Sequence, residues 1–387
     1  MRTTGTTSRG VRLPIISPGD DLVNITADCV VNASKNDGFD ILPTDIIGIT
    51  EAIVAKSQNN YATTEQLAAD VAAKFPEGEV GVCFPILSRN RFFNILKGIA
   101  QGAKKVYVLL CYPNDEVGNP IVDWEKLDDV ETDKTLFSGE EFKALYGEYL
   151  HPFTFVDYIE LYKSAGDNVE VYLSKDPRDI LKLTPYVIEA EIHLRHRTTK
   201  RLLKAGAKRV FSLADLLSAP VDGSGYNENY GVLGSNLSTS NKLKLFPRDC
   251  ASFVEAVRAA IEKRTGVSPE VLIYGDGAFK DPYAGIWELA DPVVSPAHTA
   301  RLGGMPNEIK LKYVADNQFG AMSSEDKQAA VTDMIRNKTA NTAFSEGTTP
   351  RKYADLIGSL CDLMSGSGDK GTPVIYIKGY FDDYAAE

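Results

Sequence analysis

Apolar residues along the chain fall into two recurring patterns. Dense runs of β-branched and aromatic residues at 46–54 (IIGITEAIV), 80–85 (VGVCFP), 106–112 (VYVLLCY), 169–173 (VEVYL), 271–274 (VLIY) and 374–380 (VIYIKGY) predict buried strands. Apolar positions three and four apart predict helices at 22–32, 65–74, 90–101, 140–149, 157–163, 251–263, 324–336 and 351–364. Weaker strand signals stand at 11–16 (VRLPII), where the proline assigns an edge, and at 210–213 (VFSL). Residues 1–14 otherwise read as a disordered lead-in, and 175–218 as mainly helical. From 80 to 112 the period switches from strand to helix and back, which is the mark of a βαβ unit. In 188–206 (IEAEIHLRHRTTKRLLKAG), His193 and His196 would share a helix face among basic residues, either solvated or receiving an anion.

The stretch 271–292 (VLIYGDGAFKDPYAGIWELADP) stands out because an apolar strand stops at a Gly-Asp-Gly turn and opens into a loop crowded with carboxylates. Gly275 and Gly277 permit a tight turn and a close approach to a ligand. Asp276, Asp281, Glu288 and Asp291 are hard oxygen donors of the kind that hold Mg²⁺ or Mn²⁺ against phosphates. The same residues also make an ordinary polar turn, since Asp and Gly are common turn formers. A second loop, Ser365, Gly366, Ser367, Gly368, Asp369, Lys370, Gly371 and Thr372, joins the last helix to the last strand. Its backbone N–H groups suit phosphate oxygens, although it lacks the spacing of a P-loop and reads equally as a linker.

Composition narrows the function classes. The 387 residues are 43% hydrophobic and 25% charged, with 42 basic and 53 acidic residues for a net charge of −11. That balance argues against a general nucleic-acid-binding role. No window of about 18 uncharged apolar residues predicts a membrane span. Five scattered cysteines without C-x-x-C spacing read as reduced core residues of a cytoplasmic protein.

Five segments in order, LPIISPGDDL, DIIGITEAIVAKSQ, GVLGSN, LIYGDG and DLMSGSGDKGTPVIYIKGY, resemble the F420-0:gamma-glutamyl ligase family. The resemblance covers roughly residues 10–60 and 220–380. It implies an α+β fold with a mixed-sheet ligase core, 1–75 and 175–387, around an inserted α/β subdomain, 76–174, whose role would be a lid or an interface. It also implies a homodimer that uses GTP or ATP with Mg²⁺ or Mn²⁺ to join L-glutamate to an acceptor carboxylate through an acyl phosphate. A folate-type acceptor, or a non-catalytic nucleotide-binding protein of the same fold, stays open beside it. By the resemblance, Leu13, Pro14, Ile15 and Ile16 line the nucleotide pocket with Glu51, Ala52, Lys56, Asn236 and the 365–372 loop. Asp276 and Gly277 would lie at the metal, and Lys56 and Asp276 would be catalytic. The chain departs from the family at Leu233, which stands where a metal-binding aspartate is expected. Asp281 is then the first carboxylate that could replace it.

Overall fold

The computed structural model describes residues 3–116, 118–152, 154–275, 278–280, 287–289, 295–317, 322–338, 352–365 and 369–385. Helices and mixed parallel and antiparallel sheets make an α+β fold. The chain divides into two compact units, Met1–Val54 with Asp249–Gly277 and Val293–Glu387, and Ala55–Arg248 with Ala278–Pro292. The sequence expectation places the divisions at 76 and 174 instead.

The first unit is built on a five-stranded sheet in the order Thr7–Val11, Val374–Lys378, Ile46–Thr50, Glu270–Tyr274, Ala297–His298. Only Ile46–Thr50 and Glu270–Tyr274 run parallel to each other; the other pairings are antiparallel. Strand alternation divides its side chains between two cores. Ile47, Ile49, Val271, Ile273, Val374 and Tyr376 join the cluster that includes Val30 of helix Leu22–Asp37 and Val257 of helix Cys250–Thr265. Ile46, Leu272, Tyr274, Ile375 and Ile377 meet Ile357 and Cys361 of helix Tyr353–Ser365 on the other side. Gly48 lets that helix in, because a Cβ there would lie 2.3 Å from Cys361 Sγ.

Two sequence expectations change in this unit. The run 46–54 is a strand only to Thr50, and Glu51–Ser57 is a helix, so Glu51, Ala52 and Lys56 are helical. The first strand is Thr7–Val11, within the expected lead-in, and 12–16 carry no regular structure. Its polar segment is held by backbone pairing with the last strand, from Thr7↔Lys378 to Val11↔Val374.

The second unit carries a six-stranded sheet in the order Phe137–Ser138, Val169–Ser174, Lys105–Cys111, Glu79–Cys83, Tyr186–Glu189, Arg209–Ser212. All but the short first edge strand are parallel. Helix Arg89–Gly102 links the first βα pair, opened by Ser88, whose hydroxyl accepts the Arg91 N–H at 3.2 Å. Residues 175–218 hold a 3₁₀ turn, Pro177–Lys182, and two strands as well as helix Arg195–Lys204. His193 precedes that helix, so it shares no helix face with His196. A small antiparallel sheet, Asn236–Thr239, Lys242–Lys244 and Tyr61–Thr63, completes the unit. None of the five cysteines is disulfide-bonded. Among the described residues no helix is long and apolar enough to cross a membrane.

Candidate active site

The register of the first sheet brings distant stretches to one edge. Val11 is opposite Val374, Val374 opposite Ile49, and Tyr274 opposite Thr50. The C-terminal ends of three strands and the start of the fourth therefore align. From this edge leave 12–16, Glu51 with Ala52, Gly275, and the loop that precedes Val374. Helix Cys250–Thr265 runs back along the sheet to feed Glu270–Tyr274, which puts its first turn at the same edge.

The contacts there are specific. Thr50 N–H donates to Pro373 O at 3.0 Å, and the Tyr274 hydroxyl lies 3.5 Å from the same carbonyl. Thr372 Oγ1 donates to Ser365 O at 2.7 Å and so closes the loop at its base. Burial, with a hydrogen bond to Ser365 opposing it, holds the Tyr274 phenol protonated far above its ordinary range. Gly10 leaves room for the loop, since a Cβ there would lie 2.8 Å from the Thr372 methyl group. Asp369, Lys370 and Gly371 are exposed, with Gly371 at φ 65°. Ser365 and Thr372 thus anchor a presented loop. Gly366, Ser367 and Gly368 lie outside the described residues.

Of the four residues expected to line the nucleotide pocket, Ile16 is a core residue at 3% exposure, whereas Ile15 stands 90% exposed. Leu13 packs partly on the core and Pro14 is exposed. Glu51 is 5% exposed at the strand end. Its carboxylate lies near Cys250, whose thiol is pushed up to about 12 by burial first and by Glu51 next. Sequence reasoning passed over this neighbourhood, because Cys250 reads as an ordinary core thiol. Ala52 and Lys56 are four residues apart and share one face of helix Glu51–Ser57.

For a metal, the donor type fits. Glu51 is a buried carboxylate at this edge, and Asp276 follows Gly275 directly, which is the one or two carboxylates Mg²⁺ usually takes. Asp276, Gly277 and Asp281 lie outside the described residues. Among the described residues no group of three or more His, Cys, Asp or Glu could hold a metal ion.

The family model described as F420-0:Gamma-glutamyl ligase matches residues 10–379. The chain belongs to the F420-0:gamma-glutamyl ligase family. No curated protein matches it closely enough to be counted a relative. The matched range, 10–379, takes in residues of both units.

Of the positions singled out by the resemblance in this F420-0:gamma-glutamyl ligase family chain, Lys56, Leu233, Asn236 and Asp281 belong to the second unit. Leu233 is 3% exposed within that unit's hydrophobic core, so it ligates nothing and is held by packing. Asn236 lines a cavity of about 460 Å³ together with Arg89, Arg91, Asp115, Asn119 and His151. Those five residues escaped the sequence reading. For Arg89, Arg91, Asp115 and Asn119 the signal available was their place just after the first two strands of the βαβ unit; His151 offers none.

Proposed function

We propose that the chain is a nucleotide- and metal-dependent amide ligase that adds L-glutamate, or a related amino acid, to an acceptor carboxylate. The observation that carries this reading is the meeting of 12–16, Glu51, Gly275 and the 365–373 loop at one edge of the first sheet. The strand end that leads into Gly275 and the Pro373 end of that loop are then neighbours, an arrangement that suits phosphoryl transfer.

The acceptor carboxylate oxygen attacks the γ-phosphorus of GTP or ATP. The bond from phosphorus to the bridging oxygen breaks, leaving the nucleoside diphosphate and an acyl phosphate. The glutamate amine attacks the acyl carbon, inorganic phosphate departs, and the nitrogen loses a proton. In this scheme the N–H groups and Lys370 of the 365–372 loop hold the phosphates, and the Lys56 ammonium offsets charge on the transferring group. Mg²⁺ or Mn²⁺ bound at Asp276, with Asp281 as the second carboxylate, would neutralise phosphate charge.

A second reading, a nucleotide-binding protein without turnover, is favoured by the buried Leu233 at the expected aspartate position. One assay separates the two. The chain is incubated with Mg²⁺ or Mn²⁺, GTP or ATP, L-glutamate, and either F420-0 or a folate-type acceptor, and the products are read by mass spectrometry. The ligase reading expects an amide product with one phosphate released per bond. Nucleotide binding with no amide from any acceptor would overturn it in favour of the second.

A further inference from the structure

The second unit carries a built crevice outside the candidate active site. Its parallel strands wind from Glu79–Cys83 through Lys105–Cys111 to Val169–Ser174 in one direction, then return to place Tyr186–Glu189 and Arg209–Ser212 on the other side. In open α/β sheets such a reversal leaves a crevice beyond the C-terminal strand ends, where ligands bind. That reversal falls between Glu79–Cys83 and Tyr186–Glu189, and the cavity of about 460 Å³ lies beside it, beyond the ends of Glu79–Cys83 and Lys105–Cys111. A smaller one, of about 130 Å³, shares Leu87, Asp115 and Glu116 with it and reaches Glu191, just past the strand Tyr186–Glu189.

The larger cavity is lined by hydrogen-bond acceptors. Asn119 is 1% exposed and its amide donates to Asp115 Oδ2 at 2.6 Å, but its Oδ1 has no hydrogen-bond partner among the described residues. A buried carbonyl left so is unfavourable, and the donor of a bound ligand would relieve it. Asp115 and Glu116 stand beside it as further acceptors. His151 Nε2 lies 3.7 Å from Asp115 Oδ2, and burial lowers its pKa, so the imidazole adds no positive charge at neutral pH.

Basic side chains line the same cavity, and Glu116 stands close to them, its Oε2 accepting the Leu87 N–H at 3.3 Å. They are Arg89 and Arg91, from the first turn of helix Arg89–Gly102. The backbone donors of this turn are engaged, the Arg91 N–H with Ser88 Oγ and the Arg89 N–H with the Tyr158 hydroxyl. The connecting residues Phe84, Pro85, Ile86, Leu87 and Ser88 include no glycine to let a diphosphate onto bare backbone. An anion here is held by guanidinium groups, which suits a terminal phosphate monoester.

We propose that the second unit binds a sugar or polyol phosphate, its phosphate at Arg89 and Arg91 and its hydroxyls on Asp115, Glu116 and the Asn119 carbonyl. Neighbouring hydroxyls supply separate donors to acceptors that stand side by side, and the volume is that of a small-molecule site. The proposal does not rest on the ligase reading, and its test needs no turnover.

The test is calorimetric titration of the full chain with ribose 5-phosphate, and separately with inorganic phosphate, ribose and L-glutamate. Ribose 5-phosphate should bind at least about tenfold more tightly than phosphate or ribose, a difference of about 1.4 kcal/mol. Arg89→Ala, at an exposed position that leaves the fold undisturbed, should weaken it by a similar factor, with Arg89→Lys intermediate. Failure of ribose 5-phosphate to bind, equal binding of phosphate alone, or indifference to Arg89→Ala would each overturn the proposal. Tighter binding of L-glutamate, lost in Arg89→Ala, would overturn it in favour of an amino-acid site.

Discussion

In the second unit, every strand of the six-stranded sheet comes from one unbroken stretch of chain; in the first, the strand Thr7–Val11 finds its partner in Val374–Lys378. Both sheets end with apolar side chains buried on two faces, yet they arrive there differently. The second is wound from successive βα segments, so each helix is available to cover the strand just made. The first is assembled from three separate pieces of chain. That discontinuity is what gives it a working edge, because loops remote in sequence leave the sheet side by side. The locally wound sheet has instead a cavity of about 460 Å³ beyond the ends of two adjacent parallel strands.

The sharpest way to break this comparison is to disable one unit chemically. Asp276→Asn should reduce nucleotide turnover by on the order of a hundredfold or more while thermal unfolding stays unchanged, since the change removes a charge at nearly constant side-chain volume. Turnover like the parent's at saturating Mg²⁺ would show that the Gly-Asp-Gly turn is only a turn.

The next effect belongs to the second unit. Glu189, 1% exposed, has its pKa raised from 4.5 to about 8, first by burial and then by Glu191. The folded state therefore holds this proton more tightly than the unfolded chain does. Its contribution to stability is complete below pH 4.5 and is lost as pH rises through about 8. The total is at most about 5 kcal/mol at 1.36 kcal/mol per pK unit. Glu189→Gln should flatten the pH dependence of denaturant midpoints over that window and stabilise the protein above it. Superimposable pH profiles for parent and variant would remove Glu189 as the cause.

A smaller effect is expected in the first unit. Gly48→Ala should destabilise it by about 1–3 kcal/mol, because the new methyl group meets the buried sulfur of Cys361. Gly48→Ala with Cys361→Ala should recover part of the loss. Additive losses in a double-mutant cycle would show that the two positions are uncoupled.

What the sequence discloses follows the same division. The strand Lys105–Cys111 and helix Arg89–Gly102 are visible in the periodicity because burial on the sheet is decided locally. Val374–Lys378 is equally plain, being apolar and fully central. Thr7–Val11 is not, since nothing in TSRGV signals a strand; its structure comes from a partner at the far end of the chain. The run IIGITEAIV hides a boundary for a related reason. Its β-branched residues continue past Thr50, but the Glu51–Ser57 segment, with Glu, two Ala and Lys among its residues, turns helical as the Thr50 amide bonds to Pro373. At the candidate active site the individual motifs can be read by eye, whereas their adjacency depends on register. That the Asn119 carbonyl lacks a partner among the described residues gives no sequence signal, because an orphaned acceptor exists only once its surroundings are folded.

The pairing of Thr7–Val11 with Val374–Lys378 also sets an order of events on the ribosome. At translation speeds of about 5–20 residues per second, the first strand waits on the order of tens of seconds for its partner to emerge. Ala55–Arg248 is synthesised whole in the meantime and has every partner of its parallel sheet at hand. The first strand spends that interval as an open edge, and its polar, weakly strand-forming composition is what keeps such an edge from finding another chain.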